Sequence, residues 1–229
     1  MGKLQNKIKY HRDLFDPDKL EKENIDRMGV DRVKSNSYVL DIGCATGAIG
    51  EYLEKKKQCK VVGLNISKDE AVIARKRISG IIVGDIENKQ FLDKLIKYTV
   101  KEKFDVILMM SIIEHLKNPD LVIRKIPQLL KKNGIIIVTT PNIAHWSMRI
   151  SLLKGNFNYE QYGILDNTHL RFFTEATFRE LFGRNDFNIK DYAIDSVGGG
   201  RPRISRFLSR FFPKIFAYQM LIVASAAKK

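Results

Sequence analysis

Short apolar runs alternate with longer amphipathic segments between Tyr38 and Thr140. An apolar run without polar alternation is typical of a strand buried on both faces of a parallel sheet. Such runs predict strands at Tyr38–Asp41, Lys60–Asn65, Ile81–Asp85, Phe104–Met110 and Ile135–Thr140. Helical periodicity between them predicts helices at Ala48–Lys57, Lys68–Ile78, Phe91–Val100 and Pro119–Leu130. This alternation predicts an α/β fold with a doubly wound sheet.

The pattern changes after Thr140. Residues 142–173 are rich in aromatic side chains and are expected to form a lid over a cleft. Thr174 is expected to cap a helix that ends near Arg184. Two late strands are predicted at Asn188–Val197 and Ala217–Ala224. The segment between these strands begins with Gly198–Gly200, which is expected to act as a hinge.

Composition indicates one folded domain. The chain has 229 residues, of which 44% are hydrophobic, enough for a single sizeable core. No apolar run approaches the length of a membrane-spanning helix and the first residues show no signal-peptide core, so a cytoplasmic location is expected. Cys44 and Cys59 match no metal-binding spacing and are expected to be reduced packing residues.

Positive charge is concentrated late in the chain. The formal net charge is +14, and residues 196–229 contain seven lysines and arginines but no acid. Such a bias favours an anionic partner, and the candidates are nucleic acid, a phosphorylated substrate and an anionic membrane surface. The alternative is that the charge only keeps the protein soluble.

The same region carries a predicted amphipathic helix between Pro202 and Phe212. Its apolar residues form one stripe, and the arginines lie off that stripe. Either the stripe packs on the protein, which is the favoured arrangement, or residues 201–214 lie in an anionic membrane interface. The stripe residues are Ile204, Phe207, Leu208, Phe211 and Phe212.

The segment VLDIGCATGAIG, residues 39–50, joins the first strand to the first helix. A dinucleotide-binding loop has glycines at the first, third and sixth positions of the turn, where this chain has Gly43, Ala45 and Ala48. Asp41 lies beside the loop, and its carboxylate would repel a pyrophosphate but attract a positively charged ligand. S-adenosylmethionine is such a ligand, because it carries an ammonium and a sulfonium group and no phosphate.

This loop resembles the first motif of class I S-adenosylmethionine-dependent methyltransferases. The resemblance implies a Rossmann-like sheet of seven strands, the last antiparallel, with S-adenosylmethionine as cofactor. In that family an acid at the end of the second strand binds the ribose, whereas Asn65 stands here and gives up the charge-assisted bond. Asp85, in the segment VGDIE, resembles the acid that binds the adenine amino group in that family. The segment FDVILMMSIIEHL, residues 104–116, resembles the fourth strand and the chain after it, which passes under the methyl donor. The implied cofactor-binding residues are Asp41, Gly43, Ala45, Gly47, Asn65, Asp85, Ile86 and Ser111.

Glu114-His115 resembles a pair found in ubiquinone-pathway O-methyltransferases and small-RNA 3′-end methyltransferases, some of which bind a divalent ion there. Those metal sites also contain a glutamate three positions earlier, where this chain has Ser111. One carboxylate and one imidazole make an incomplete site, so no metal is predicted. Glu114 and His115 are expected to hold the loop beside the adenosine or, in the case of His115, to take part in catalysis.

YGILD, residues 162–166, and THLRFFT, residues 168–174, resemble a bacterial and archaeal methyltransferase subgroup. That subgroup is related to the methionine-biosynthesis protein MetW and to methyltransferases encoded beside surface-polysaccharide glycosyltransferases. Trp146 and Tyr162 in the lid are expected to offer aromatic surface to the acceptor.

His169 is the candidate general base, because histidine titrates near neutral pH. Asp166 is expected to orient His169, and Arg171 is expected to hold an anionic group of the acceptor. Alternatively, these three residues pin the lid to the sheet through a buried polar network.

The expected function is S-adenosylmethionine-dependent O-methylation of a sugar, a lipid-linked glycan or a small cyclic acceptor, by an enzyme in the cytoplasm or peripheral to the membrane. The alternatives are an RNA methyltransferase and a MetW-like non-enzymatic partner of an acyltransferase. The oligomeric state is open.

One domain, 1–229, is expected, with an N-terminal helical segment (1–36), a cofactor-binding half (37–141), the lid (142–173) and a basic amphipathic insertion (198–216).

Overall fold

A seven-stranded sheet organises the protein. The computed structural model describes residues 14–196 and 202–227, without the side chains of 202–205. The strand order is β3-β2-β1-β4-β5-β7-β6. The first five strands are parallel, and β7 runs antiparallel between β5 and β6. The predicted doubly wound α/β sheet with an antiparallel last strand is confirmed. The strands are β1 (Tyr38–Ile42), β2 (Lys60–Asn65), β3 (Gly80–Val83), β4 (Phe104–Met110), β5 (Leu130–Pro141), β6 (Phe187–Asp195) and β7 (Gln219–Ala226).

Helices cover both faces of the sheet, which explains the uniformly apolar strands. One buried cluster joins the sheet to α1, α2 and α3, and a second joins it to α4, α5 and α7. Within the described ranges no helix is long and apolar enough to cross a membrane. The helices are α1 (Ile25–Asp31), α2 (Ala48–Lys57), α3 (Lys68–Ala74), α4 (Lys89–Thr99), α5 (Pro119–Lys125), α6 (Trp146–Leu153), α7 (Glu175–Gly183), α8 (Pro202–Ser209) and α9 (Pro213–Phe216).

Several predicted boundaries were wrong by a few residues, for local reasons. The helix predicted to reach Leu130 ends at Lys125, because Pro127 has no N–H to continue it, and a 3₁₀ turn follows over Ile126–Gln128. Residue 130 instead begins β5, which starts five residues earlier than predicted and contains a bulge opposite β4. The helix predicted to reach Ile78 ends at Ala74, and the strand predicted to reach Asp85 ends at Val83.

The lid segment, residues 142–173, has a small core of its own. Met148, Ile164 and Leu165 are buried together, and Tyr218 from the chain before β7 packs against them. Residues 152–162 are exposed. The lid therefore has a packed root and an exposed tip.

The tail differs from the favoured prediction of a packed apolar stripe. Phe207, Phe211 and Phe212 are exposed, so that arrangement is wrong for these three side chains. The predicted helix ends at Ser209, three residues earlier than predicted, and the separate short helix α9 begins at Pro213. The hinge at Gly198–Gly200 and the side chain of Ile204 lie outside the described residues.

Candidate functional site

The loop after β1 is held against the end of β2. Gly43 N donates to Leu64 O at 2.8 Å, and Gly47 N donates to Cys44 O at 2.8 Å. Gly43, Ala45 and Gly47 all have positive φ, at +77°, +45° and +80°. A non-glycine residue in this region is uncommon and clusters at functional sites, which makes Ala45 the unusual member of this loop.

Gly43 brings the loop into contact with the chain after β4. A Cβ atom at position 43 would lie 2.0 Å from Ile112 Cδ1 and 2.5 Å from Ile112 Cγ1. The preceding residue, Ser111, also has positive φ (+53°) and donates its N–H to Thr139 Oγ1 at 2.8 Å. The ends of β1, β2, β4 and β5 thus meet at one edge of the sheet, where doubly wound folds bind ligands.

Asp41 is buried beside this loop. Burial alone raises the pKa of its carboxyl group to about 7. Across the described ranges no lysine or arginine forms an ion pair with it. A buried acid without a cation is poorly stabilised as an anion, and a ligand ammonium would compensate it.

Asn65 is engaged by the protein on both ends of its amide. Nδ2 donates to Ala45 O at 3.1 Å and to Glu70 Oε2 at 2.7 Å, and Oδ1 accepts from Ser67 N at 2.9 Å. An amide has two N–H donors, so its donors are used. Both N–H groups of Asn65 are therefore occupied by protein acceptors and do not remain for the predicted contact with the ribose. The carboxylate of Glu70 lies directly beside Asn65.

The predicted adenine residues follow β3. Asp85 is exposed, and its Oδ1 accepts from Glu87 N at 2.8 Å, which fixes the turn. Ile86 is buried in the main core rather than open to a ligand. Ile66, directly after β2, is exposed and offers apolar surface at the same sheet edge.

Glu114, His115 and His169 form a compact cluster next to this edge. One potential ligand atom from each residue lies within 4.8 Å of the other two, and the two imidazole rings are 4.8 Å apart at 70°. Glu114 is fully buried, and in the described part of the chain neither carboxylate oxygen has a hydrogen-bond partner of normal geometry. Burial, with a smaller effect of the Asp166 charge, raises the Glu114 pKa to about 8, while Thr140 opposes the shift.

Backbone carbonyls orient both imidazoles of this cluster. His169 Nδ1 is 3.0 Å from Ile164 O, and His115 Nδ1 is 3.1 Å from Thr168 O. A carbonyl oxygen only accepts, so each Nδ1 carries a proton and each neutral ring has its lone pair on Nε2. Such rings can accept a proton or bind a metal ion, and His169 completes a three-residue set that the pair 114–115 alone does not make.

Known proteins resemble this chain in sequence and in fold. Residues 10–191 match the model of the methyltransferase domain family. The chain belongs to that family. A ubiquinone biosynthesis O-methyltransferase from Pelagibacter ubique (strain HTCC1062) is 28% identical over 160 residues, covering 70% of this chain and 65% of that protein. (S)-coclaurine N-methyltransferase from Papaver somniferum is 29% identical over 108 residues, covering 47% of this chain and 30% of that protein.

The chain thus spans less than two thirds of the length of either of these curated relatives. The crystal structure of a SAM-dependent methyltransferase from Archaeoglobus fulgidus has a TM-score of 0.58 to this methyltransferase, with 17% identity, and covers 86% of this chain and 90% of that one. The predicted class I S-adenosylmethionine-dependent methyltransferase family and its cofactor are confirmed, whereas the narrower MetW-related subgroup stays a prediction.

The methyltransferase offers a suitable cradle for S-adenosylmethionine. Buried Asp41 would hold the ammonium group, and Gly43 leaves no room for a side chain where the loop meets Ile112. Exposed Ile66 would face the adenosine, with Glu70 beside the ribose position. The cofactor fits these residues because its positive ammonium would compensate the buried acid beside the loop.

The lid root of the methyltransferase is pinned to the cluster. Leu170 N and Arg171 N donate to Glu114 O at 2.8 and 2.9 Å, and the Arg171 guanidinium donates to Lys117 O. Asp166 Oδ1 accepts from Thr168 N and Thr168 Oγ1 at 2.8 and 2.7 Å. The contacts of Arg171 match the pinned-lid alternative, whereas these contacts of Asp166 lie within the lid and leave its predicted role beside His169 a prediction.

The predicted acceptor aromatics occupy two different parts of the lid. Trp146 begins α6, with its ring 5.5 Å from His145. Tyr162 is exposed at the lid tip. The role of these two rings as acceptor contacts stays a prediction.

Sequence reasoning missed two polar residues, Glu70 beside Asn65 and His145 at the cap of α6. Glu70 is placed beside Asn65 by the cap of α3: Ser67 Oγ accepts a hydrogen bond from Glu70 N, which fixes Glu70 in the first turn of the helix. His145 caps α6 with Nδ1, is fully buried, and has its pKa lowered to about 4 by burial. Burial of a histidine cannot be read from its neighbours in sequence, but the Ser67–Glu70 spacing is a detectable cap signal.

Proposed function

We propose that the protein is an S-adenosylmethionine-dependent O-methyltransferase that acts on a ring hydroxyl of a sugar, a lipid-linked glycan or a small cyclic acceptor. The observation that carries the proposal is the cluster of Glu114, His115 and His169 beside the cofactor loop. The acceptor and the subgroup related to MetW and polysaccharide synthesis belong to the proposal, as does a cytoplasmic site of action.

The cluster supports transfer to oxygen for a chemical reason. A neutral amine has a lone pair ready to react, but a hydroxyl gains from a base that removes its proton. S-adenosylmethionine, when bound, supplies the methyl group as an activated sulfonium. His169 Nε2 would accept the hydroxyl proton, since its Nδ1–H is committed to Ile164 O.

Glu114, which lies next to both imidazoles, would support this proton transfer. With a pKa of about 8 it is mostly protonated at neutral pH, so it can donate a hydrogen bond and avoids leaving an unpaired buried charge. The packed lid root holds His169 in place through the contacts at Glu114 O. Exclusion of water under the lid strengthens these interactions.

The test uses the purified protein with methyl-labelled S-adenosylmethionine and host extract, followed by partition of the products. Label in a water-soluble sugar or an organic-soluble fraction, on an ether oxygen, supports the proposal. Label on amine nitrogen or in nuclease-sensitive material would replace it by N-methylation or RNA methylation. A protein that binds S-adenosylhomocysteine but transfers no label in any fraction would favour the non-enzymatic alternative.

Variants then separate catalysis from folding. His169→Gln is expected to lower kcat by about 100-fold, while the Kd for S-adenosylhomocysteine and the Tm stay close to wild type. Exposed Asn167→Ala, two residues away in the lid, is the matched control and should keep its rate. Transfer that is lost on chelation and restored by a divalent cation would assign the cluster to metal binding instead of proton transfer.

A further inference from the structure

Three exposed phenylalanines lie close together at the end of α8. Phe207 is 60% exposed, Phe211 65% and Phe212 54%, and the rings of Phe207 and Phe211 are 5.5 Å apart. Single exposed apolar residues are ordinary, but grouped ones mark interaction sites. The side chain of phenylalanine has no polar atom that could form a hydrogen bond with water, so exposure of this group to water is unfavourable.

The segment that carries these rings is anchored to the protein. Arg206 forms ion pairs with Glu21 and Glu23, and Ser209 is buried with its hydroxyl donating to Arg206 O at 2.9 Å. On the far side, Asn142 Nδ2 donates to Lys214 O at 3.2 Å. The exposed phenylalanines therefore project from a segment that is held at both ends.

Positive charge accompanies the exposed rings. Arg210 and Lys214 are exposed, and in the described part of the chain neither forms an ion pair. No acidic residue occurs anywhere in residues 196–229. Exposed aromatic rings combined with unopposed cations are the composition of a segment that binds an anionic lipid interface.

We propose that Phe207, Phe211, Phe212, Arg210 and Lys214, here named the Phe–Arg surface, dock the protein on a membrane that contains anionic lipids. The rings enter the interface and the two cations contact lipid headgroups. A second copy of the chain is a poorer occupant, because the cations of two such surfaces would repel each other across a symmetric contact.

Docking at this surface places the lid near the membrane. Asn142, which binds the backbone of Lys214, begins the lid segment, and Tyr218 packs on its small core. An acceptor anchored in the bilayer would thus approach the sheet edge from the side of the Phe–Arg surface. This step goes beyond the proposed methyl transfer, since docking needs neither cofactor nor acceptor.

Vesicle flotation of the full-length protein tests the proposal without any methyltransferase assay. Wild type is expected to float with vesicles in which about one third of the lipid is phosphatidylglycerol, and to bind pure phosphatidylcholine at least about tenfold more weakly. Phe207→Ser/Phe211→Ser/Phe212→Ser should lower binding to anionic vesicles by about tenfold or more. Arg210→Gln/Lys214→Gln should remove most of the salt-sensitive part.

Matched variants guard against a general loss of fold. Tyr98→Ser/Val100→Ser removes exposed apolar surface elsewhere, and Lys56→Gln/Lys132→Gln removes exposed charge elsewhere. Both should float like wild type, and all variants should keep the wild-type Tm and affinity for S-adenosylhomocysteine. Equal flotation of the triple phenylalanine variant, or no flotation of wild type, overturns the proposal. In that case, binding of homopolymer RNA or concentration-dependent dimers that the same triple variant abolishes would assign the surface to RNA or to a second copy.

A fluorescence measurement checks that the rings enter the lipid. The chain has one tryptophan, Trp146, and Phe211→Trp adds a second at the Phe–Arg surface. Its additional emission should shift to the blue on anionic vesicles and be quenched by brominated lipid, whereas Tyr98→Trp should show neither change. Emission from Phe211→Trp that vesicles leave unchanged contradicts insertion.

Discussion

Asn65 lies where the family has an acid, and its surroundings explain why an amide fits here. Both of its N–H groups have protein acceptors, Ala45 O and Glu70 Oε2. The carboxylate at this place belongs to Glu70, in the first turn of α3, and not to the residue at the strand end. The position of Asn65 was predicted from the strand pattern, but its partner was not, because Glu70 is brought in by the Ser67 cap rather than by the strand.

Replacing Asn65 by the family's acid should therefore harm this protein. In Asn65→Asp both donors are lost and two carboxylates meet at the distance of a hydrogen bond, 2.7 Å in the wild type. Unsatisfied buried groups cost about 1–3 kcal/mol, so we expect a Tm lower by a few degrees and weaker S-adenosylhomocysteine binding in calorimetry.

The double variant Asn65→Asp/Glu70→Gln is the control, because it exchanges the two functional groups and restores a donor–acceptor pair. It should recover most of the lost Tm, whereas Glu70→Gln alone should change Tm little. A single Asn65→Asp that binds S-adenosylhomocysteine more tightly than wild type would show that the family's ribose contact operates here unchanged.

At the scale of elements, the parallel half of the sheet was the most predictable part. Strands β2 and β4 match their predicted limits, because a doubly covered strand shows as an uninterrupted apolar run. Element ends set by single backbone groups were harder, as at Pro127 and at the early start of β5. The tail could not be judged from periodicity, because an amphipathic stripe does not specify whether protein or lipid covers it.

The loop after β1 depends on glycine at one position for two reasons. Gly43 has positive φ, and a Cβ atom added there would collide with Ile112. Gly155, after α6, has a similar φ of +74°, but a Cβ atom added there would meet nothing within 4 Å. Gly155→Ala should therefore lose only the left-handed penalty of about 1 kcal/mol, measured as a small fall in urea midpoint.

Gly43→Ala should lose more, because the added methyl group displaces Ile112 and with it the chain leading to Glu114. We expect a larger fall in urea midpoint and at least about tenfold weaker S-adenosylhomocysteine binding, whereas Gly155→Ala should bind like wild type. Equal destabilisation and equal affinity in the two variants would mean that Ile112 moves aside without consequence.

At the scale of the whole molecule, the site places two buried acids at one sheet edge. The pKa is raised by burial to about 7 in Asp41 and to about 8 in Glu114. The sequence indicated that Asp41 lies at a strand end, but its desolvation arises only when helices cover both faces of the sheet. The unliganded fold is therefore less stable than it would be with amides at these positions once both acids ionise.

This arrangement predicts the sign of the pH dependence. Between about pH 4 and pH 8 these two acids hold more protons in the folded protein than in the unfolded chain, so their contribution to the free energy of unfolding falls as pH rises. Buried His145, whose pKa is lowered to about 4, has the opposite effect below about pH 6.5 and offsets part of this fall. The Tm of the cofactor-free protein is expected to be at least about 5 °C lower near pH 8.5 than near pH 5. Asp41→Asn/Glu114→Gln should abolish this fall in Tm.

Ligand binding separates the two acids in the same experiment. S-adenosylhomocysteine should stabilise wild type more near pH 7.5 than near pH 5.5, because its ammonium favours ionised Asp41. This difference should vanish in Asp41→Asn and persist in Glu114→Gln, since only Asp41 would contact the ammonium. A wild-type Tm that rises steadily from about pH 5 to about pH 8.5 would mean that these acids are ionised and compensated in the free protein.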